Sequence, residues 1–232
     1  MTIVRLRQSV PEAMKHTLAQ FNVVLAANRF NPSVFRESWL TERGLLRRDD
    51  LQPGFVFAEN VVSLSTPEFD LLVLPQNLTL VPRSSLAASD VVGRIIPVVV
   101  QELPHTPFTG IGLNFVWNTD TEPESVAEVT RKLFANSSSR ITESFSAADA
   151  RFGMYLSKDV EGSRLKLDIK PLHVLDEAGG KLLEIIQFSF NFHRDLGTKD
   201  NFAAVTDACA RWNEHFRLSE QIIGTIGGVT TK

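Results

Sequence analysis

The chain has 232 residues, 43% hydrophobic and 22% charged, a balance that excludes a disordered polymer and supplies apolar surface for one large core or two small ones. Its formal net charge is −3, with ten basic against ten acidic residues up to Pro107 and fourteen against seventeen beyond it, so neither half is a basic, phosphate-neutralising domain. One cysteine, Cys209, excludes an intramolecular disulfide.

The opening MTIVRLRQSVPEAM has no apolar h-region, and the longest greasy run, IIPVVV, falls far short of the ~20 residues a membrane helix needs; the expected setting is a cytoplasm, with no membrane partner. TLAQFNVVLAA alternates as a strand. Asn31-Pro32-Ser33 then gives the cap-and-proline order that starts a helix, with Val34, Phe35, Trp39 and Leu40 at helical spacing until Gly44. RGLLRR, Arg43 to Arg48, is followed at once by Asp49 and Asp50 and reads as a solvated helix end. FVFAENVVSL, FDLLVLP and LTLVPR are short β-rich runs and predict a three-strand antiparallel meander. Ser84 and Ser85 are placed to cap a second helix in which Val91, Ile95, Val98 and Val99 share a face, with a kink expected at Pro97.

TGIGLNFVWN alternates Ile111, Leu113, Phe115 and Trp117 against Gly112, Asn114, Val116 and Asn118, which predicts a strand. Thr121 to Ser125 opens a helix through Val126, Val129, Leu133 and Phe134, ended by NSSSR. A second meander, ARFGMYLSK, SRLKLDIKPLHVL and KLLEIIQFSFNFH, follows with turns at DVEG and DEAGG. The chain finishes with a helix from about Asp200, striped by Phe202, Val205, Cys209, Trp212 and Phe216, and a frayed tail GTIGGVTTK.

The element order strand, helix, meander, helix therefore occurs twice, over 1–107 and 108–232. An ungapped offset of 92 lays FNVVL over LNFVW and matches Asn22 with Asn114, Val24 with Val116, and Ser33-Val34 with Ser125-Val126. The expected fold is α+β: two pseudo-repeats joined in one continuous unit, with an antiparallel sheet backed by helices.

This order, with GIGLNFVWN in mid-chain, the strand SRLKLDIKPLH and the terminal NFAAVTDACARWNEHF, resembles a sporadically distributed bacterial protein family of mostly unknown function. The resemblance covers Asp70 to Gly224. It rests on a glycine-led mid-chain strand, an aspartate-bearing penultimate strand and a C-terminal amphipathic helix. It departs at Asn114-Phe115-Val116-Trp117, where the family has an arginine and an aromatic-asparagine pair. The resemblance implies a fold and carries over no catalytic residue.

Motifs for chemistry are sparse. The five histidines, His16, His105, His173, His193 and His215, lack metal-ligand spacing, and a single cysteine builds no thiolate site, so neither metal nor cofactor is expected. His193-Arg194-Asp195 matches a kinase catalytic loop in letters, without the accompanying glycine-rich loop. GIG and GTIGG lack the strand-loop-helix context that cradles phosphate, G-x-S-x-G is absent, and Cys209 sits on an apolar stripe. Asp168, Glu184 and Asp195 lie on one meander, where charge pairing with Arg164, Lys166 or Lys170 is the simplest account.

Two polar rows stand out. The non-core side of TGIGLNFVWN offers Asn114 and Asn118, and that of IIQFSFNFHRD offers Gln187, Ser189, Asn191 and His193, opposite the greasy row Ile186, Phe188, Phe190 and Phe192. Amides and hydroxyls stand where lysine and glutamate usually coat a wet sheet, which leaves two readings: residues silent under a loop, or a recognition face. The leading expectation for function is a non-catalytic bacterial binding or assembly protein that meets a protein partner through its sheet face or edge and self-associates into a homo-oligomer. A nucleic-acid-binding module using the same face comes next, then an enzyme assembled from His193, Asp168 and Asn114.

Overall fold

The structure, a computed structural model, describes residues 14–135, 139–175, 180, 182–197 and 201–226. Among these residues nine strands form one antiparallel sheet: β1 (His16–Ala27), β2 (Val56–Phe57), β3 (Val62–Ser65), β4 (Phe69–Val73), β5 (Asn77–Pro82), β6 (Phe108–Asp120), β7 (Met154–Val160), β8 (Ser163–Leu175) and β9 (Leu182–Asp195). Their spatial order is β2-β3-β4-β5-β1-β6-β9-β8-β7. The helices are α1 (Glu37–Glu42), α2 (Ala88–Glu102), α3 (Val126–Phe134), α4 (Arg140–Glu143), α5 (Asn201–Ala210) and α6 (Trp212–Gly224). The fold is α+β, and no described helix is long and apolar enough to cross a membrane.

Period-two alternation drives one face of β1, β5, β6, β8 and β9 into the core. Val23 and Leu25 of β1, Leu78 and Leu80 of β5, Leu113 and Phe115 of β6, Leu165 and Leu167 of β8, and Phe188 to Phe192 at every second position of β9 are buried beneath the helices. Helix α6 docks through Trp212, whose ring meets Phe115 edge-on at 4.9 Å, and through Ser219, whose Oγ accepts the Trp117 indole N–H at 3.0 Å. At the other end Leu40, Leu45 and Leu46 pack with Leu64, Leu71 and Ile95. The packed helices thus share one side of the sheet, and its other side carries none of them.

Strands β1 and β6 meet at the seam between the two halves, with Asn22 set directly against Asn114. The offset of 92 that aligns these two asparagines in sequence is thus also the pair that faces across the seam. From the seam outward the order is β5, β4, β3 on one side and β9, β8, β7 on the other.

Several local expectations are corrected. Asn31 caps only a 3₁₀ turn at 32–34, accepting from Ser33 N–H; the chain then extends at Arg36 (φ −87°, ψ 159°) before α1 begins. The break lets Phe35 bury completely between Phe30 and Trp39. Ser84 and Ser85 do not cap α2, which starts at Ala88 with Ala87 at the cap position, and α2 continues on both sides of Pro97. The first meander gains the two-residue strand β2. The terminal helix is two, broken at Arg211 (φ −85°, ψ 7°), whose guanidinium gathers Asp207, Glu161 and Glu214. Phe202 is 43% exposed and stands outside the stripe. The DEAGG turn and the tail lie largely outside the described residues. Other expectations stand: α3 opens after Ser125, and Glu161-Gly162 makes the β7–β8 turn with both φ positive (41° and 77°); Ser125 and Glu128 add a capping box, which holds the Glu128 carboxyl below its usual pKa.

Candidate recognition face

Register determines what the open side presents. Between β6 and β9, Asn114 stands against Asn191, Asn118 against Gln187, Val116 against Ser189 and Gly112 against His193. The six expected residues, Asn114, Asn118, Gln187, Ser189, Asn191 and His193, therefore share one surface, each half-buried. No described helix lies over them.

The amides form a ladder across three strands. Asn191 Nδ2 donates to Asn114 Oδ1 at 2.6 Å, and Asn114 Nδ2 donates to Asn22 Oδ1 at 2.8 Å. Farther along, Gln187 Nε2 donates to Asn118 Oδ1 at 3.3 Å. The glycines of β6 make room for this. A Cβ on Gly112 would lie 2.8 Å from Asn191 Nδ2, and one on Gly110 2.8 Å from His193 Cε1, so both side chains lie flat across β6 in space that only glycine leaves. Asn22, only 8% exposed, completes the ladder; the sole signal for it in sequence is its match with Asn114 at the offset of 92.

Charge is confined to the rim. Between their ends the open sides of β5 (Asn77, Thr79, Val81), β1 (Gln20, Asn22, Val24), β6 and β9 carry no Lys, Arg, Asp or Glu. The flanking strands do, mostly in pairs: Lys170 with Asp168 at 2.5 Å, Arg164 with Asp159 at 2.9 Å, and Arg83 with Asp70 at 2.6 Å. Lys166, opposite Asn191, has no hydrogen-bond or ion-pair partner among the described residues.

The residues considered for catalysis do not converge. Asp168 stands opposite Ser189, four positions along β9 from His193, or roughly 13 Å at the rise of an extended strand. His193 Nε2 lies 3.0 Å from Asp195 Oδ1, on a carboxylate that is 93% exposed. Glu184 faces the helix side, where it accepts the Val126 N–H, which chiefly holds its carboxyl below the usual range, and pairs with Arg151 at 2.7 Å and His173 at 3.0 Å. Burial pushes the Cys209 thiol up to about 12, which keeps it protonated and inert. Among the described residues no group of three or more His, Cys, Asp or Glu is placed to hold a metal ion. A wide cleft of about 760 Å³ opens elsewhere, lined in part by Arg29, Glu59, Glu102 and His105, and shares no residue with the amide ladder.

Comparison with known families, curated proteins and solved structures returns no match.

Proposed function

We propose that the chain is a non-catalytic binding protein that recognises a protein partner through the open face of its sheet. The observation that carries this is the charge-free centre: four adjacent strands of hydrogen-bonding and apolar side chains, with charges on the flanking strands that are mostly paired. Protein interfaces have this anatomy, with charge depleted at the core and retained at the rim. Because the asparagines already bond one another, covering them costs less than burying unpaired amides. At about 4.8 Å per strand and 3.3 Å per residue, β4, β5, β1, β6, β9 and β8 offer roughly 1,000 Å² of plan area. That is enough for the ~800 Å² per partner of a standard interface.

Nucleic acid fits less well, since three of the four rim cations, Arg83, Arg164 and Lys170, are neutralised and the phosphate term would be small. The palindromic order about the β1–β6 seam supports a duplicated origin, which would make the face pseudo-symmetric. A cytoplasmic setting suits a chain with one buried cysteine.

The test is quantitative capture from the native cell with three baits: the natural chain, the Asn114→Arg/Asn191→Arg variant, and a helix-side control, Glu220→Lys, each checked for fold by circular dichroism. A partner lost at least about tenfold by the face variant alone supports the reading, because an unpaired charge at an interface centre costs well over ~1.4 kcal/mol. Equal capture by all three baits refutes it.

A further inference from the structure

The two edges of the sheet differ. At one edge stands β2, two residues long; at the other stands β7, seven residues long, exposed from Tyr155 to Asp159. Its outer side pairs with no strand among the described residues. Long free edges are templates for added strands, and most proteins shorten or cover them.

Beneath β7, on the helix side, runs a groove of about 360 Å³ between the strand and the last turns of α6, lined by Leu156, Ser157, Lys158, Leu165, Leu167 and Ile222. Leu165 and Leu167 form a floor buried to 3% and 4% exposure, whereas Leu156 at the lip is 47% exposed. Alternation along β7 sends Met154, Leu156, Lys158 and Val160 toward this side, as the pairing of Leu156 with Leu167 requires. Lys158 thus stands between two apolar side chains and has no ion-pair or hydrogen-bond partner among the described residues. Its neighbour Asp159 projects to the other face, where Arg164 holds it at 2.9 Å.

We propose that the β7 edge and its groove take an extended segment of a partner protein as a tenth strand, and that this segment carries a carboxylate flanked at alternate positions by apolar side chains. The backbone edge supplies the ladder, and Leu156 and Val160 receive the apolar residues. Lys158 selects the acid between them, since a neutral strand would leave its ammonium covered and unpaired. A second copy of β7 does not meet this requirement. Paired so that the helices of both copies lie on one side of the joined sheet, it turns Asp159 away from Lys158 and sets Met154, Leu156, Val160 or another Lys158 opposite it. This surface is separate from the open face and stands or falls without it.

The experiment uses the whole chain and a fluorescein-labelled peptide in which threonine alternates with valine, leucine, glutamate and valine, beside a twin with lysine for glutamate. Fluorescence anisotropy is expected to show the acidic peptide bound roughly tenfold tighter than its twin. Lys158→Glu should invert the preference, and Leu156→Asp should abolish binding of both, while amides 154–160 of the natural chain gain protection from exchange in the complex. Circular dichroism checks each fold, and the inversion by Lys158→Glu is a readout that misfolding cannot produce. The Asn114→Arg/Asn191→Arg chain should bind the acidic peptide unchanged; loss there assigns the peptide to the open face and overturns the proposal. So do failure to bind at millimolar peptide, a preference unaltered in Lys158→Glu, or light scattering that shows a dimer with amides 154–160 already protected.

Discussion

His215 is 1% exposed, stacks on Phe192 at 4.2 Å with the rings 8° apart, and has no hydrogen-bond partner for either ring nitrogen among the described residues. Burial first, then the Arg211 charge, lowers its pKa to about 4. Between pH ~6.5 and ~4 the unfolded chain therefore binds a proton that the folded chain refuses, so the contribution is intact above ~6.5 and is lost as pH falls toward 4. The full shift corresponds to about 3 kcal/mol. Urea titrations at pH 7.5, 5.5 and 4.5 should show the natural chain losing stability relative to His215→Phe, which keeps the ring and removes the titration. A constant difference between the two across that range would show that His215 is not the group. Ser219 is a second such residue, its Oγ accepting from Trp117 and donating to the Phe216 carbonyl at 2.6 Å. Ser219→Ala strands the buried indole N–H and should cost about 2 kcal/mol in the same assay. Neither role is legible in sequence: helical periodicity places His215 near the buried stripe, but only the fold shows that no described residue bonds its ring nitrogens.

Among the elements, the β7–β8 hairpin depends most on a single position. Gly162 has φ +77°, and a Cβ there would lie 2.9 Å from an Arg194 guanidinium nitrogen. Arg194 also donates to the Gly162 and Ala204 carbonyls and pairs with Asp207 at 2.7 Å, tying the turn to α5. Gly162→Ala should therefore cost at least about 1 kcal/mol and lower Tm by a few degrees, seen by differential scanning calorimetry. On the open face Gly112→Ala acts differently: its new Cβ meets the far end of the Asn191 side chain and no backbone, so Asn191 should swing away with little loss of Tm, and partner capture should fall with the broken ladder. Strands with a clean period of two were legible, because alternation is a property of the strand alone. The row Ile186, Phe188, Phe190 and Phe192 is buried as its spacing implies. Helix starts were less so. Asn31 and the serines at 84 and 85 carry capping chemistry, but burial of Phe35 and the placement of α2 decided where helix begins.

For the whole molecule, the β1–β6 ladder makes the two halves one sheet, and a common unfolding transition should follow. Trp39 lies in the first half, Trp117 and Trp212 in the second. In Trp39→Phe, fluorescence reports the second half and far-ultraviolet circular dichroism the whole, and their urea midpoints should coincide; separated midpoints would show independent halves. The α+β class was readable from the succession of elements. The ladder of Asn22, Asn114 and Asn191 was not, because it joins residues 92 and 77 positions apart and depends on a register that no local pattern encodes. The unequal edges of this sheet have a consequence for assembly. In the language of polymer chemistry the chain is monofunctional: β7 is a reactive end and the two-residue β2 is a blocked one. If β7 takes a strand as proposed, a unit with one such end among its described residues can be capped, or can cap another sheet, but growth by edge addition stops after one step.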